Sequence, residues 1–194
     1  MFRELLQSHR AVCAEPGGTV RVAGPPPAAV LPGSFNPLHR GHTTLAAVAA
    51  GRLGVPVGFE LSAANVDKPE LPAGEVARRV AQFAGVGPVW VTRAATFAEK
   101  AALFPGTAFV VGFDTAARLI DPRYYGGDPA RRDAALGQLA GRGCRVVVGG
   151  RVDAGGVFRT WGGEGLAEEF AGLFLPLSEA DFRVDVSSTG LRGR

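Results

Sequence analysis

Cysteine is scarce in this 194-residue chain: Cys13 and Cys144 are its only two. They form no Cys-x-x-Cys pair and no cysteine–histidine spacing of a zinc site, so neither a disulfide framework nor a structural zinc is expected, and a reducing cytoplasm is the default compartment. Long apolar runs are missing as well. None approaches the roughly 20 residues that a membrane-spanning helix needs. The opening Met1-Phe2-Arg3-Glu4-Leu5-Leu6 carries a charge of each sign and no apolar h-region, which does not read as a signal peptide. Basic clusters are absent, and with them the stripe of Lys and Arg that a nucleic-acid surface requires. No internal repeat or low-complexity segment interrupts the main body of the chain. What remains is a cytoplasmic protein with neither a nucleic-acid nor a membrane partner.

The residues that are abundant point to a packed core. Hydrophobic side chains make up 46% of the chain and charged ones 20%, the balance of an ordinary globular domain. The net charge of +3 and pI near 9.3 suit a small anionic ligand. The length fits one domain, taken as residues 28–194, behind an extension of residues 1–27. In that extension Phe2, Leu5, Leu6 and His9 recur at helical spacing over 2–12. Glycines and the Pro25-Pro26-Pro27 run then break the chain, so the segment reads as an appended helix or a lid on a sheet edge.

From Ala28 short apolar runs alternate with helical stretches. Strands are expected at 28–32, 57–62, 88–92, 107–112, 144–149 and 173–177. Helices are expected at about 41–53, 74–84, 96–104, 114–120, 130–142 and 166–172. This alternation predicts an α/β fold with a parallel sheet and right-handed crossovers, whose ligand site lies at the carboxyl ends of the strands. Residues 150–165, rich in glycine, read as a surface excursion or hairpin, and Tyr124-Tyr125 as cover for the core.

Three stretches at strand ends carry polar chemistry. Gly33-Ser34-Phe35-Asn36-Pro37-Leu38-His39-Arg40-Gly41-His42 follows the first strand. Gly33 lets the backbone approach a ligand, the free N–H groups of the next helix suit an anion, and His39 and His42 share a helical face. The alternative reading of the same residues is an ordinary strand–turn–helix corner with two surface histidines. Gly112-Phe113-Asp114, after the fourth strand, can accommodate a nucleoside base or ribose, with Asp114 alternatively a helix N-cap. Asp185-Val186-Ser187-Ser188-Thr189-Gly190-Leu191-Arg192 offers hydroxyl caps and a forked cation, either a second phosphate cup or a capped turn. Between these, Asn65-Val66-Asp67-Lys68-Pro69 reads either as a loop from which Lys68 reaches a phosphate or as a solvated turn held by Asn65 and Asp67. Thr96 and Glu99 form a capping box, while Arg93 and Lys100 are secondary substrate candidates.

Taken together, these stretches resemble the nucleotidylyltransferase superfamily from Val30 to Arg192. Gly33-x-Phe35-x-Pro37 with His39-x-Gly41-His42 is similar to its first signature, and Val186-Ser187-Ser188-Thr189-x-Leu191-Arg192 to its second, with Val186 where Ile is usual. Within it, Phe59-Glu60-Leu61-Ser62, Asn65-x-Asp67-Lys68-Pro69, Lys100-Ala101-x-Leu103-Phe104-Pro105-Gly106, Gly112-x-Asp114-Thr115-Ala116-x-Arg118 and Phe182-Arg183-x-Asp185 resemble the branch of nicotinamide-mononucleotide-adenylyltransferase-like and cytidylyltransferase-like proteins. The resemblance implies a doubly wound, Rossmann-like parallel sheet with helices on both faces. It also implies transfer of a nucleotidyl group from ATP to a phosphate-bearing acceptor, foremost nicotinamide mononucleotide, yielding NAD and pyrophosphate. CTP as donor, another phosphorylated acceptor such as pantetheine phosphate, and a non-catalytic nucleotide-binding module are the alternatives.

By the same resemblance His39 and His42 contact the nucleotide phosphates, with His42, His39 and Arg192 carrying catalysis. Gly33, Ser34 and Phe35 line the nucleotide site, Gly112 and Asp114 lie near the adenosine, and Ser188, Thr189 and Arg192 hold the β- and γ-phosphates. Lys68 is the substrate-phosphate lysine. Mg²⁺ is expected as a cofactor held by phosphates and water, without a protein metal cage, and a homo-oligomer is left open. The sequence ends at Arg194, so the second cup is expected to rest on barely a turn of helix and to be mobile until nucleotide binds.

Overall fold

The computed structural model describes residues 11–22, 24–64, 69–153, 155–161 and 166–182. Its strands are β1 (Val12–Ala14), β2 (Val20–Val22), β3 (Ala29–Pro32), β4 (Val57–Ser62), β5 (Val89–Thr92), β6 (Ala108–Gly112), β7 (Arg145–Gly149), β8 (Arg151–Val152), β9 (Phe158–Arg159) and β10 (Phe174–Pro176). The helices are α1 (Arg40–Leu53), α2 (Ala73–Ala81), α3 (Phe97–Leu103), α4 (Phe113–Ile120) and α5 (Pro129–Gly141). Two 3₁₀ segments, Pro122–Tyr125 and Glu168–Leu173, are also present among the described residues.

Eight strands form one sheet in the order β10-β7-β6-β3-β4-β5-β1-β2. The six from β10 to β5 are parallel, and β1 and β2 add an antiparallel edge beyond β5. Strands buried on both faces need apolar residues at successive positions. Val30, Phe109, Val111, Val146 and Val148 point into one apolar cluster, with α3, α4, α5 and the Glu168–Leu173 turn above them. Their alternates Ala29, Leu31, Val110 and Val147 point into the other, under α1 and α2. The molecule is therefore α/β, with a mostly parallel sheet between helical layers, consistent with a Rossmann-like fold.

The expected strands and helices from residue 28 onward fall within about three residues of the observed ones, except that 166–172 is a 3₁₀ segment. The hairpin expected within 150–165 is β8–β9. The N-terminal region differs. Residues 1–10 lie outside the described residues, Val12 opens a strand where a helix was expected to end, and 12–22 extend the central sheet as two strands. Short strands with one turn between them carry too little periodicity to show in the sequence.

The order of the strands reverses once along the sheet. From β3 the chain runs outward through β4 and β5, then crosses back to β6 on the other side of β3 and continues to β7 and β10. The strand order reverses between β3 and β6, and in open parallel sheets such a reversal is where a crevice commonly forms, at the carboxyl ends. Gly33–Asn36 leaves β3 and Gly112 ends β6, so both enter that crevice's rim.

Candidate functional site

The turn after β3 is held by its own aromatic ring. Phe35 is fully buried, and its ring meets those of Phe83 at 4.9 Å, Phe59 at 5.8 Å and His42 at 5.1 Å, all edge-on. Although expected to line the nucleotide site, Phe35 turns its side chain into the core and leaves only backbone at the turn. It does so with φ at +44°, a left-handed conformation that costs a non-glycine residue about 1–3 kcal/mol and persists where surroundings over-determine it. Gly33 is required for the same reason. A Cβ there would lie 2.8 Å from two carbons of the Phe35 ring, so the missing side chain makes room for that ring. Ser34 is exposed at the rim, and the Asn36–Pro37 peptide is cis.

A second element clamps the turn from outside. Glu75, Arg78, Arg79 and Gln82 recur at i, i+3, i+4 and i+7 along α2 and its C-cap, which sets them on one stripe. Arg79 Nη1 donates to the Ser34 carbonyl at 2.8 Å, and Arg78 Nη2 to Asn36 Oδ1 at 2.9 Å. Gln82 bridges the turn, donating to the Phe35 carbonyl at 2.9 Å and accepting from the Leu38 N–H at 2.8 Å. These side chains were missed in the sequence. The polar stripe on an otherwise amphipathic helix was their only signal.

His39 is the N-cap residue of α1, with extended backbone, and its N–H donates to His42 Nδ1 at 3.3 Å. The two rings stack with centroids 3.7 Å apart. Burial pushes the His42 imidazole down to about 4, and the neighbouring His39 charge pushes the same way. Burial also lowers His39. At neutral pH His42 is therefore uncharged. Because its Nδ1 accepts a hydrogen bond, its proton sits on Nε2, which makes it a neutral donor at the mouth of a 14-residue helix. The helix dipole adds positive potential there.

Beside this turn lies a cavity of about 280 Å³ at the carboxyl ends of β3, β4 and β5. Gly33, Ser34, Asn36, Arg79, Phe97 and Lys100 are among its lining. At its base is a buried ionic network. Lys100 Nζ donates to both Glu60 oxygens and to the Ala94 carbonyl, each at 2.8 Å, and Thr92 Oγ1 donates to Glu60 Oε1 at 2.6 Å. Lys100, a secondary substrate candidate from sequence, has all three of its protons engaged within the protein. Arg93 Nη2 donates to Glu70 at 3.0 Å.

On the far side of the crevice Gly112 is exposed, and nothing lies within 4 Å of where its Cβ would be, so space is open there. Gly112 is itself the N-cap of α4, which puts Asp114 in the helix's first turn rather than at the cap. Asp114 is exposed and paired with Arg151 at 2.7 Å. The Thr96–Glu99 capping box forms as expected. Tyr125 is half-buried with its hydroxyl on the Leu119 carbonyl, while Tyr124 is exposed under Arg118. Lys68, Ser188, Thr189 and Arg192 lie outside the described residues. So the structure brings together Gly33, Ser34, His39 and His42 on one side of the crevice and opens Gly112 and Asp114 on the other.

Among the described residues no group of three or more His, Cys, Asp or Glu side chains is arranged to hold a metal ion, and no helix is long and apolar enough to cross a membrane. No protein-family model matches the chain, and no curated protein matches it.

Proposed function

We propose that the protein transfers a nucleotidyl group from a nucleoside triphosphate, foremost ATP, to a phosphate-bearing acceptor, foremost nicotinamide mononucleotide, on a doubly wound nucleotidylyltransferase-type fold. The observation that carries this reading is the pair of stacked imidazoles at the N-terminus of α1, after the carboxyl end of β3, where burial favours their neutral forms.

In the reaction an acceptor phosphate oxygen attacks the α-phosphorus. A bond forms between them as the bond to the β-phosphate oxygen breaks, and pyrophosphate leaves with the electron pair. A phosphate monoester with a second pKa near 6 is already largely ionised at neutral pH, so no general base is needed. The protein's part is to position the reactants and stabilise charge. His42, donating from Nε2, meets an α-phosphate oxygen as charge builds on it. His39 serves the adjacent phosphates. A neutral donor suits this task, because a buried cation pair at 3.7 Å would repel in the empty site. Arg192, Ser188 and Thr189 are assigned to the β- and γ-phosphates, Lys68 to the acceptor, and Gly112 and Asp114 to the nucleoside.

Mg²⁺ is proposed as a cofactor that triphosphate oxygens and water would hold, where it would neutralise phosphate charge.

The test is His42→Ala. Losing one preorganised donor to a developing oxyanion costs about 10²–10³-fold in kcat. Pyrophosphate release by the folded variant at near wild-type rate would overturn the assignment.

A further inference from the structure

We propose that the cavity beside the Gly33–Asn36 turn binds the phosphate monoester of the acceptor through Arg79. This deepens the nucleotidylyl-transfer reading and rests on it.

The Arg79 side chain is 11% exposed, and its guanidinium is only partly used. Nε donates to Glu75 Oε1 at 2.7 Å and Nη1 to the Ser34 carbonyl at 2.8 Å. Nη2 makes no hydrogen bond among the described residues, and Arg79 lines the cavity. An anion entering the cavity would therefore meet a guanidinium with a donor to offer. The Nε and Nη1 contacts fix the plane of the guanidinium and leave Nη2 as the free donor. Such a preorganised fork suits a phosphate better than a flexible lysine does.

Charge on the cavity wall points the same way. Glu60 and Lys100 neutralise each other, and Lys100 has no proton to spare. Glu75 does not cancel Arg79 alone, since Arg78 Nε and Nη2 grip the same carboxylate at 2.7 Å. Two arginines share one acid, so among the described residues Arg79 is not fully neutralised by its partner. A cavity of about 280 Å³ lies just below the range of roughly 300–1,000 Å³ usual for small-ligand sites, so it suits a mononucleotide or something smaller.

The place of the contact gives it a purpose. The guanidinium that would hold the acceptor phosphate also holds Ser34, in the turn that leads directly into His39. One side chain thereby ties the nucleophile's position to that of the triphosphate cup.

The test compares nicotinamide mononucleotide, its dephosphorylated riboside and ribose 5-phosphate by calorimetry, without triphosphate, on the wild type, Arg79→Met and Arg79→Lys. The wild type should bind the phosphorylated forms at least tenfold more tightly than the riboside. Arg79→Met should bind nicotinamide mononucleotide and the riboside within about twofold of each other, and Arg79→Lys should recover part of the preference. Melting curves identify folded variants, and Arg79→Lys carries the comparison if Arg79→Met does not fold. Three results overturn the proposal: a wild type with no phosphate preference, a folded Arg79→Met that keeps it, or equal weakening of nicotinamide mononucleotide and riboside, the mark of a purely structural arginine. Phosphate preference that depends on Arg79, with no pyrophosphate release from any nucleotide–acceptor pair, would instead retain the subsite and remove the proposed reaction.

Discussion

Lysine 100 offers the sharpest test of how the cavity is built. Its ammonium and the Glu60 carboxylate are 6% and 0% exposed, and all three lysine protons are placed at 2.8 Å on protein oxygens. Replacing Lys100 with methionine keeps most of the volume but leaves Glu60 charged in the interior, with Thr92 as its remaining partner. Breaking one half of such a pair costs about 3–5 kcal/mol, because the surviving charge is desolvated and uncompensated. In a domain of this size each kcal/mol lowers the melting temperature by roughly 2–4 °C, so the expected loss is about 6–20 °C. The double variant Glu60→Leu/Lys100→Met removes both charges and should recover most of that loss, since well-packed apolar replacements of buried pairs are often neutral. Calorimetry on the two single variants and the double variant yields the coupling directly. A Lys100→Met protein melting within about 2 °C of the wild type would refute the buried-pair account, and so would strict additivity.

Three further outcomes follow from the turn and the histidines. Gly33→Ala drives a Cβ to 2.8 Å from a ring that Phe59, Phe83 and His42 prevent from moving, and should destabilise by about 1–3 kcal/mol in urea unfolding. Gln82→Ala removes both bonds across the Phe35–Leu38 turn and should reduce kcat for pyrophosphate release with little change in melting temperature; an unchanged kcat would show that the clamp is dispensable. His42, depressed to about 4 in the fold against roughly 6.5 unfolded, contributes stability that is fully present above pH 6.5 and lost as pH falls towards 4. The full shift corresponds to about 3 kcal/mol and, for a partly solvated ring, roughly half that. Urea unfolding at pH 7 and pH 4 should therefore show less acid destabilisation in His42→Gln than in the wild type, and parallel profiles would contradict the neutral-imidazole assignment.

The sheet was legible because its strands are buried on both faces. Val110-Val111 and Val146-Val147-Val148 appear as unbroken apolar runs, and the helices between them carry caps such as Thr96–Glu99. The edge strands Val12–Ala14 and Val20–Val22 were not legible, since three residues cannot establish a period and the pairing of β1 with β5 is made far along the chain. The histidine turn was visible as a motif, but the reason for Gly33 was not. The sequence suggested space for a ligand, whereas the space belongs to Phe35. Likewise Glu60 and Lys100 stand 40 residues apart, and only the packing of α3 over β4 joins them. Arg79 and Gln82 reach residues more than 40 positions away. Side-chain clamps of that kind leave no local pattern beyond a polar stripe.

The central claim is best tested by measuring pyrophosphate release from ATP and from CTP against nicotinamide mononucleotide, nicotinate mononucleotide and pantetheine phosphate, with the wild type and His42→Ala side by side. The account predicts acceptor-dependent release by the wild type, highest with ATP and nicotinamide mononucleotide, and a fall of about 10²-fold or more in the variant. No release from any combination, or release that His42→Ala leaves intact, would contradict it.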